Sequence, residues 1–172
     1  MILKRLFNRS PTAERRCYEA IVAAARHPAF YANWKVADTL DGRFDMIALH
    51  TYLILDRLKG AEPRFRQSLV DEFFRDMDRS LRELGVGDLS VGKKVRKMAE
   101  VFYGRVTAYD AALAGGEGEL VDALARNVFP GEQDAAGAAP LAAYLRDQRS
   151  HLAAQGDSAI ARGQVTFKEP TP

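Results

Sequence analysis

The chain has 172 residues, 47% hydrophobic and 28% charged, with a formal net charge of +2. That length suits one domain able to bury about two-thirds of its unfolded surface, and the composition excludes a disordered chain. The charge is too small to mark a nucleic-acid protein by itself, and one cysteine, Cys17, excludes an intramolecular disulfide framework and suits a reducing compartment.

Met1 to Phe7 carries Ile2, Leu3, Leu6 and Phe7 around Lys4 and Arg5. It lacks the apolar run and small-residue cleavage site of a signal peptide. So short an amphipathic stretch could touch a membrane only weakly by itself, and a loose terminus over residues 1–10 is the simpler expectation. Ser10 with Pro11 predicts the first helix start, a cap followed by proline at the first helical position. Cys17, Tyr18, Ile21, Val22 and Ala25 form its apolar face, and His27-Pro28 ends it. After an aromatic segment, Phe30 to Trp34, Asp41 offers a cap for a helix over Gly42 to Lys59 that is apolar on nearly every side. Such a helix belongs at the centre of a bundle. No run approaches the roughly 18 to 20 apolar residues needed to cross a bilayer.

The next helix runs to Leu84, with Leu69, Val70, Phe73, Phe74, Met77, Leu81 and Leu84 predicted on its core face. Glu119–Val128 and Ala139–Gln155 predict two further helices, and the polar stretch from Gly156 is expected to be loose. Gln164 to Lys168 is the only strand-like run. The expected architecture is all-α, a single irregular bundle of about six or seven helices. It consists of an N-terminal segment (1–10), a helical domain (11–155) and a flexible tail (156–172).

Gly85 to Leu113 is the most informative block. Val91, Val95, Met98, Phe102, Val106, Tyr109 and Leu113 recur at steps of three and four, one continuous stripe on a long helix. Gly87 to Lys93 imitates a phosphate-binding loop, G-x-x-x-x-G-K, but the following position is Lys94 where Ser or Thr must bind Mg²⁺. A helix, not a buried strand, precedes it. Both tests exclude nucleotide hydrolysis.

Lys93, Lys94, Arg96 and Lys97 lie in the first turns of this helix, with Arg105 towards its flank. Cations are disfavoured there by the helix dipole, so a design for stability alone would place acids. The cluster is therefore either a tolerated solvated face or a docking patch for ribosomal RNA, anionic lipid headgroups or an acidic protein surface. A second stripe, Val101, Gly104 and Ala108, permits close approach of another backbone. Packing against a neighbouring helix is the first expectation, and a groove that accepts a client helix is the sharper one.

Catalytic and metal chemistry find no constellation. His27, His50 and His151 are scattered, with no H-E-x-x-H or paired-cysteine setting and no G-x-S-x-G elbow. His50 reads as a hydrogen-bonded core residue and Cys17 as a buried thiol. No cofactor is expected.

His27 to Trp34, Asp41 to Gly60 and above all Leu69 to Leu113 resemble the ubiquinol–cytochrome c chaperone family, over roughly Ala13 to Leu145. The resemblance implies a non-enzymatic assembly factor for the cytochrome bc1 complex that binds newly made cytochrome b. It makes residues 11–155 a chaperone domain and, in mitochondria, implies a second assembly factor near the ribosomal exit. The start of the chain, without a transit-like leader, points to a bacterial member that is cytoplasmic or peripheral on the inner membrane. The competing reading is a lipid- or small-ligand-binding helical protein with a basic rim.

Overall fold

The computed structural model describes residues 11–131 and 135–171, so Met1 to Ser10 lie outside the described residues. Its helices are α1 (Ala13–Ala25), α2 (Pro28–Ala32), α3 (Leu40–Arg57), α4 (Pro63–Glu83), α5 (Asp88–Ala114), α6 (Glu117–Val128), α7 (Ala138–Ala153) and α8 (Asp157–Ala161). Six are long and two are five-residue turns, and no strand occurs among the described residues. The fold is an all-α bundle.

Two caps differ from the sequence expectation. Thr12 caps α1, and Thr39 rather than Asp41 caps α3, its hydroxyl accepting from the Gly42 amide at 3.2 Å. In each case a threonine hydroxyl reaches an amide three residues on. The all-round apolar helix is central as expected. Every α3 residue from Phe44 to Leu55 is buried, and α1, α5, α6 and α7 all pack on it. α4 closes the ring by packing between α1 and α5.

Residues 34–37, linking α2 to α3, are held by two close approaches. A Cβ on Gly42 would stand 1.9 Å from the Ala37 carbonyl oxygen, and one on Gly137 1.9 Å from that of Trp34. Only glycine fits at either point. Beneath this link, Phe30, Trp34 and Tyr144 pack edge-on at ring separations of 5.1 to 5.8 Å.

The segment after Gly156, expected to be loose, is docked. Ile160, Val165 and Pro170 are buried, and Phe167 meets the His50 ring edge-on at 5.4 Å. The strand-like run forms no ladder with another strand among the described residues, because Gln148 of α7 and Gln155 just past its end take that place. The Gln148 amide donates to the Lys168 carbonyl at 2.9 Å and accepts from its N–H at 3.1 Å. Gln155 does the same for Thr166, at 2.9 and 3.0 Å. Alternate backbone groups are thus satisfied by these two side chains while Val165 and Phe167 face the core.

Candidate functional site

The α5 stripe folds as its periodicity predicts. Val91, Phe102 and Tyr109 are buried, and Val95, Met98, Val106 and Leu113 are half-buried between them. Gly87 to Lys94, the imitation of a phosphate loop, is a helix cap and two helical turns following α4, which leaves no strand-supported cradle.

On one side of α5 lies an open groove of about 470 Å³, walled by the start of α3, the end of α4, α5 between Lys94 and Arg105, and Pro130. Its floor is apolar: Leu40, Phe44, Leu81, Met98 and Val101. Lys94, Lys97 and Arg105 line it together with Asp41 and Asp45. Four of the residues singled out in the sequence therefore converge here, Lys94, Lys97, Val101 and Arg105.

They do not play one role. Arg105 turns inward to an ion pair with Asp45, with side chains only 15% and 7% exposed, and donates to the Asn127 carbonyl at 3.2 Å. Its guanidinium sits 5.5 Å from the Phe44 ring centre. Arg105 is a pillar of the groove wall, whereas the sequence placed it towards the helix flank as part of an anion-binding cluster. Burial dominates the Asp45 carboxyl and pushes it up to about 6, opposed by the attraction of Arg105. The Nε of Arg105 and the hydroxyl of the adjoining Tyr109 are both buried without a partner among the described residues.

Lys97 forms an exposed pair with Glu100 at 3.1 Å. Lys93, Lys94 and Arg96 have no ion-pair partner among the described residues. Lys93 and Arg96 stand outside the groove, on the solvent face. Gly104 and Ala108 also fall outside it, and a Cβ on Gly104 would meet nothing within 4 Å. The close helix packing first expected at Gly104 is thus absent among the described residues.

Leu84 departs from its expected core position. The helix ends at Glu83, so Leu84 leaves the apolar face and is 64% exposed, while Leu89 is 101% exposed. Leu89 carried a readable signal, because it precedes Val91 by two residues and so lies off the stripe. The Asp45–Arg105 pair, sixty residues apart in the chain, carried none.

The histidines and the thiol are accounted for elsewhere. His50 is fully buried; its Nδ1 donates to the Met46 carbonyl at 2.8 Å, which leaves Nε2 to accept from the Tyr144 hydroxyl at 2.8 Å. Burial lowers its pKa to about 4, so the ring is neutral at physiological pH. His27 caps α2, and His151 contacts the Thr166 hydroxyl at 3.0 Å. Burial pushes the Cys17 thiol up to about 12, out of the range of reactive thiolates.

The model of the ubiquinol-cytochrome C chaperone family matches residues 32–167. The chain belongs to this family. All the groove residues named above fall inside the matched span. A crystal structure of the Cbp3 homolog from Brucella abortus superposes with a TM-score of 0.82 and 45% identity, covering 91% of this chain and 89% of that one. That neighbour agrees with a bacterial member of the family. Among curated proteins, ubiquinol-cytochrome-c reductase complex assembly factor 1 of Xenopus laevis is 24% identical, over 89% of this chain and 79% of its own length. The yeast mitochondrial protein CBP3 is 26% identical over 82% of this chain but only 44% of its own length. The family is one of assembly chaperones. No helix among the described residues is long and apolar enough to cross a membrane.

Proposed function

We propose that this protein is a non-enzymatic assembly chaperone of the ubiquinol–cytochrome c reductase (cytochrome bc1) complex, and that its client is newly made cytochrome b. The observation that carries the reading is membership of the chaperone family over residues 32–167, the span that supplies the groove residues. A membrane subunit that has not yet met its partners presents apolar helix turns with polar flanks. An open groove with an apolar floor and lysines along its edge suits such a segment better than it suits a small substrate, which closed pockets largely enclose. Met98 and Val101 would meet the client's apolar side chains, and Lys94 and Lys97 its acidic flank.

Holding a client requires no reacting group, in keeping with a His50 that is buried and hydrogen-bonded and a Cys17 that is buried in the bundle. The reading places the protein at the cytoplasmic side of the inner membrane, where new cytochrome b is available.

The test is genetic and spectroscopic. A clean deletion is expected to lower the b-type haem signal of the bc1 complex while other respiratory complexes persist. Normal bc1 haem after deletion overturns the proposal. In the complemented strain, Met98→Glu should reduce cytochrome b recovered with the purified protein, with its thermal melt checked in parallel.

A further inference from the structure

Among the described residues, three of the four large hydrophobic side chains left exposed, Leu40, Leu84 and Leu89, lie at the groove or at the corner joining α4 to α5. The corner is firmly built. Leu81 and Val91 are buried on either side of it, the Val86 amide donates back to the Leu81 carbonyl at 3.0 Å, and Arg82 bridges α4 to α5 through Asp88. Leu84 and Leu89 are therefore held out into solvent by an ordered turn, although the core lies within two or three residues of each.

Immediately after Leu89 come the unpaired cations. Leu89, Lys93 and Arg96 are spaced four and three apart and share one outward face of α5. The lysine and arginine sit about 6 and 10 Å along the axis from Leu89 at the usual helical rise. Side chains on a helix tilt towards its N-terminus, so these cations lean back towards the leucines. Lys94 and Lys97 add charge on the groove side. Among the acids near the corner, Asp88 is engaged by Arg82, Glu100 is paired with Lys97, and Glu83 is exposed beside Leu84.

We infer that the α4–α5 corner is a docking element for an anionic lipid bilayer, with Leu84 and Leu89 entering the headgroup–acyl boundary and Lys93, Lys94, Arg96 and Lys97 meeting the lipid phosphates. Charge complementarity would equally admit RNA, but an RNA backbone offers nothing to two projecting leucines. A bilayer rewards both features together, burying apolar tips about 5 to 10 Å deep while its anionic surface attracts basic residues. It also accounts for cations in the first turns of α5, where the helix dipole disfavours them. This surface adjoins the client groove and shares Lys94 and Lys97 with it, but Leu84, Leu89, Lys93 and Arg96 stand outside the groove and the test contains no client, so each reading can fail alone.

The purified full chain is sedimented with vesicles of phosphatidylcholine containing phosphatidylglycerol, and with vesicles of phosphatidylcholine alone, at low and high salt. Wild type should bind the mixed vesicles, less so at high salt because the Debye length falls from about 10 Å at 0.1 M to about 3 Å at 1 M. The double variant Leu84→Ser, Leu89→Ser should lose about tenfold or more of vesicle binding at both salt concentrations. Lys93→Glu with Arg96→Glu should lose about fivefold or more for each charge at low salt, and much less at high salt. All four side chains are exposed, so unchanged melting curves are expected. No binding of wild type to the mixed vesicles overturns the proposal, as does equal binding to both vesicle types. Full binding by the leucine variant overturns it too, since the corner would then be a purely electrostatic patch. Wild type that pellets with ribosomes, or self-associates through the leucines, while ignoring vesicles would reassign the surface.

Discussion

The surroundings of His50 and the outer side of α5 treat polar and apolar groups in opposite ways. Around His50 both ring nitrogens are bonded, and three aromatic rings (Phe30, Tyr144 and Phe167) close over it from α2, α7 and the C-terminal segment. Around α5 the leucines of the corner face outwards, three cations stand without an ion pair among the described residues, and a glycine occupies open space. An interior that satisfies its polar groups is architecture. A surface that leaves charge and apolar area unspent, although the buried core lies close by, is where a partner is to be sought.

Arg105 stands at the border between these regions and tests where it runs. Arg105→Ala leaves the Asp45 carboxylate buried and alone, and should destabilise the protein by about 3 to 5 kcal/mol in urea unfolding. Replacing Asp45 and Arg105 together by Leu and Met should recover most of that loss. A near-neutral Arg105→Ala would move the residue back to the solvent-facing cluster.

The His50 interior is tested by pH. Its folded pKa of about 4 lies below the ordinary value of 6.5, so between these pH values the unfolded chain binds a proton that the folded chain refuses. Stability from this group is present above pH 6.5 and is lost as pH falls towards 4, by about 3 kcal/mol for a fully buried ring. Asp45, raised to about 6, has the opposite sign across an overlapping window and masks the effect in the wild type alone. The stability difference between wild type and His50→Gln isolates it. That difference should shrink by about 3 kcal/mol between pH 7 and pH 4, and a constant difference would refute the neutral buried histidine.

The smallest effect sharpens the contrast most. Gly104→Ala, in the middle of α5 and facing open space, should stabilise the protein by about 0.5 to 1 kcal/mol, because alanine loses less backbone entropy on forming a helix. Gly42→Ala should do the reverse, since its Cβ has no room beside the Ala37 carbonyl. If Gly104 serves a client that packs against it, the stabilised variant should recover less cytochrome b on purification. Unchanged recovery would confine client contacts to the groove.

By itself the sequence determined whatever depends on spacing along one helix. A period near 3.6 placed Val91, Phe102 and Tyr109 inwards and Lys93 and Arg96 outwards, and a helix over Gly42 to Lys59 that is apolar on nearly every side called for a central position. Lys94, where a hydroxyl is needed, disposed of the phosphate loop, and the Leu69–Leu113 pattern pointed to the family that the match over residues 32–167 supports. Only the tertiary structure decided what depends on distance between elements. It turned Arg105 inwards onto Asp45, because burial beside Phe44 favours a paired guanidinium over a free one. It tied a polar tail down through Gln148 and Gln155, since side-chain amides can satisfy a backbone as another strand would. It left Leu84 outside, because a helix that stops at Glu83 carries the next residue out of the apolar face whatever the period promises. Local periodicity says which side of a helix is apolar, but where helices end and what they meet is settled by the packing of the whole chain.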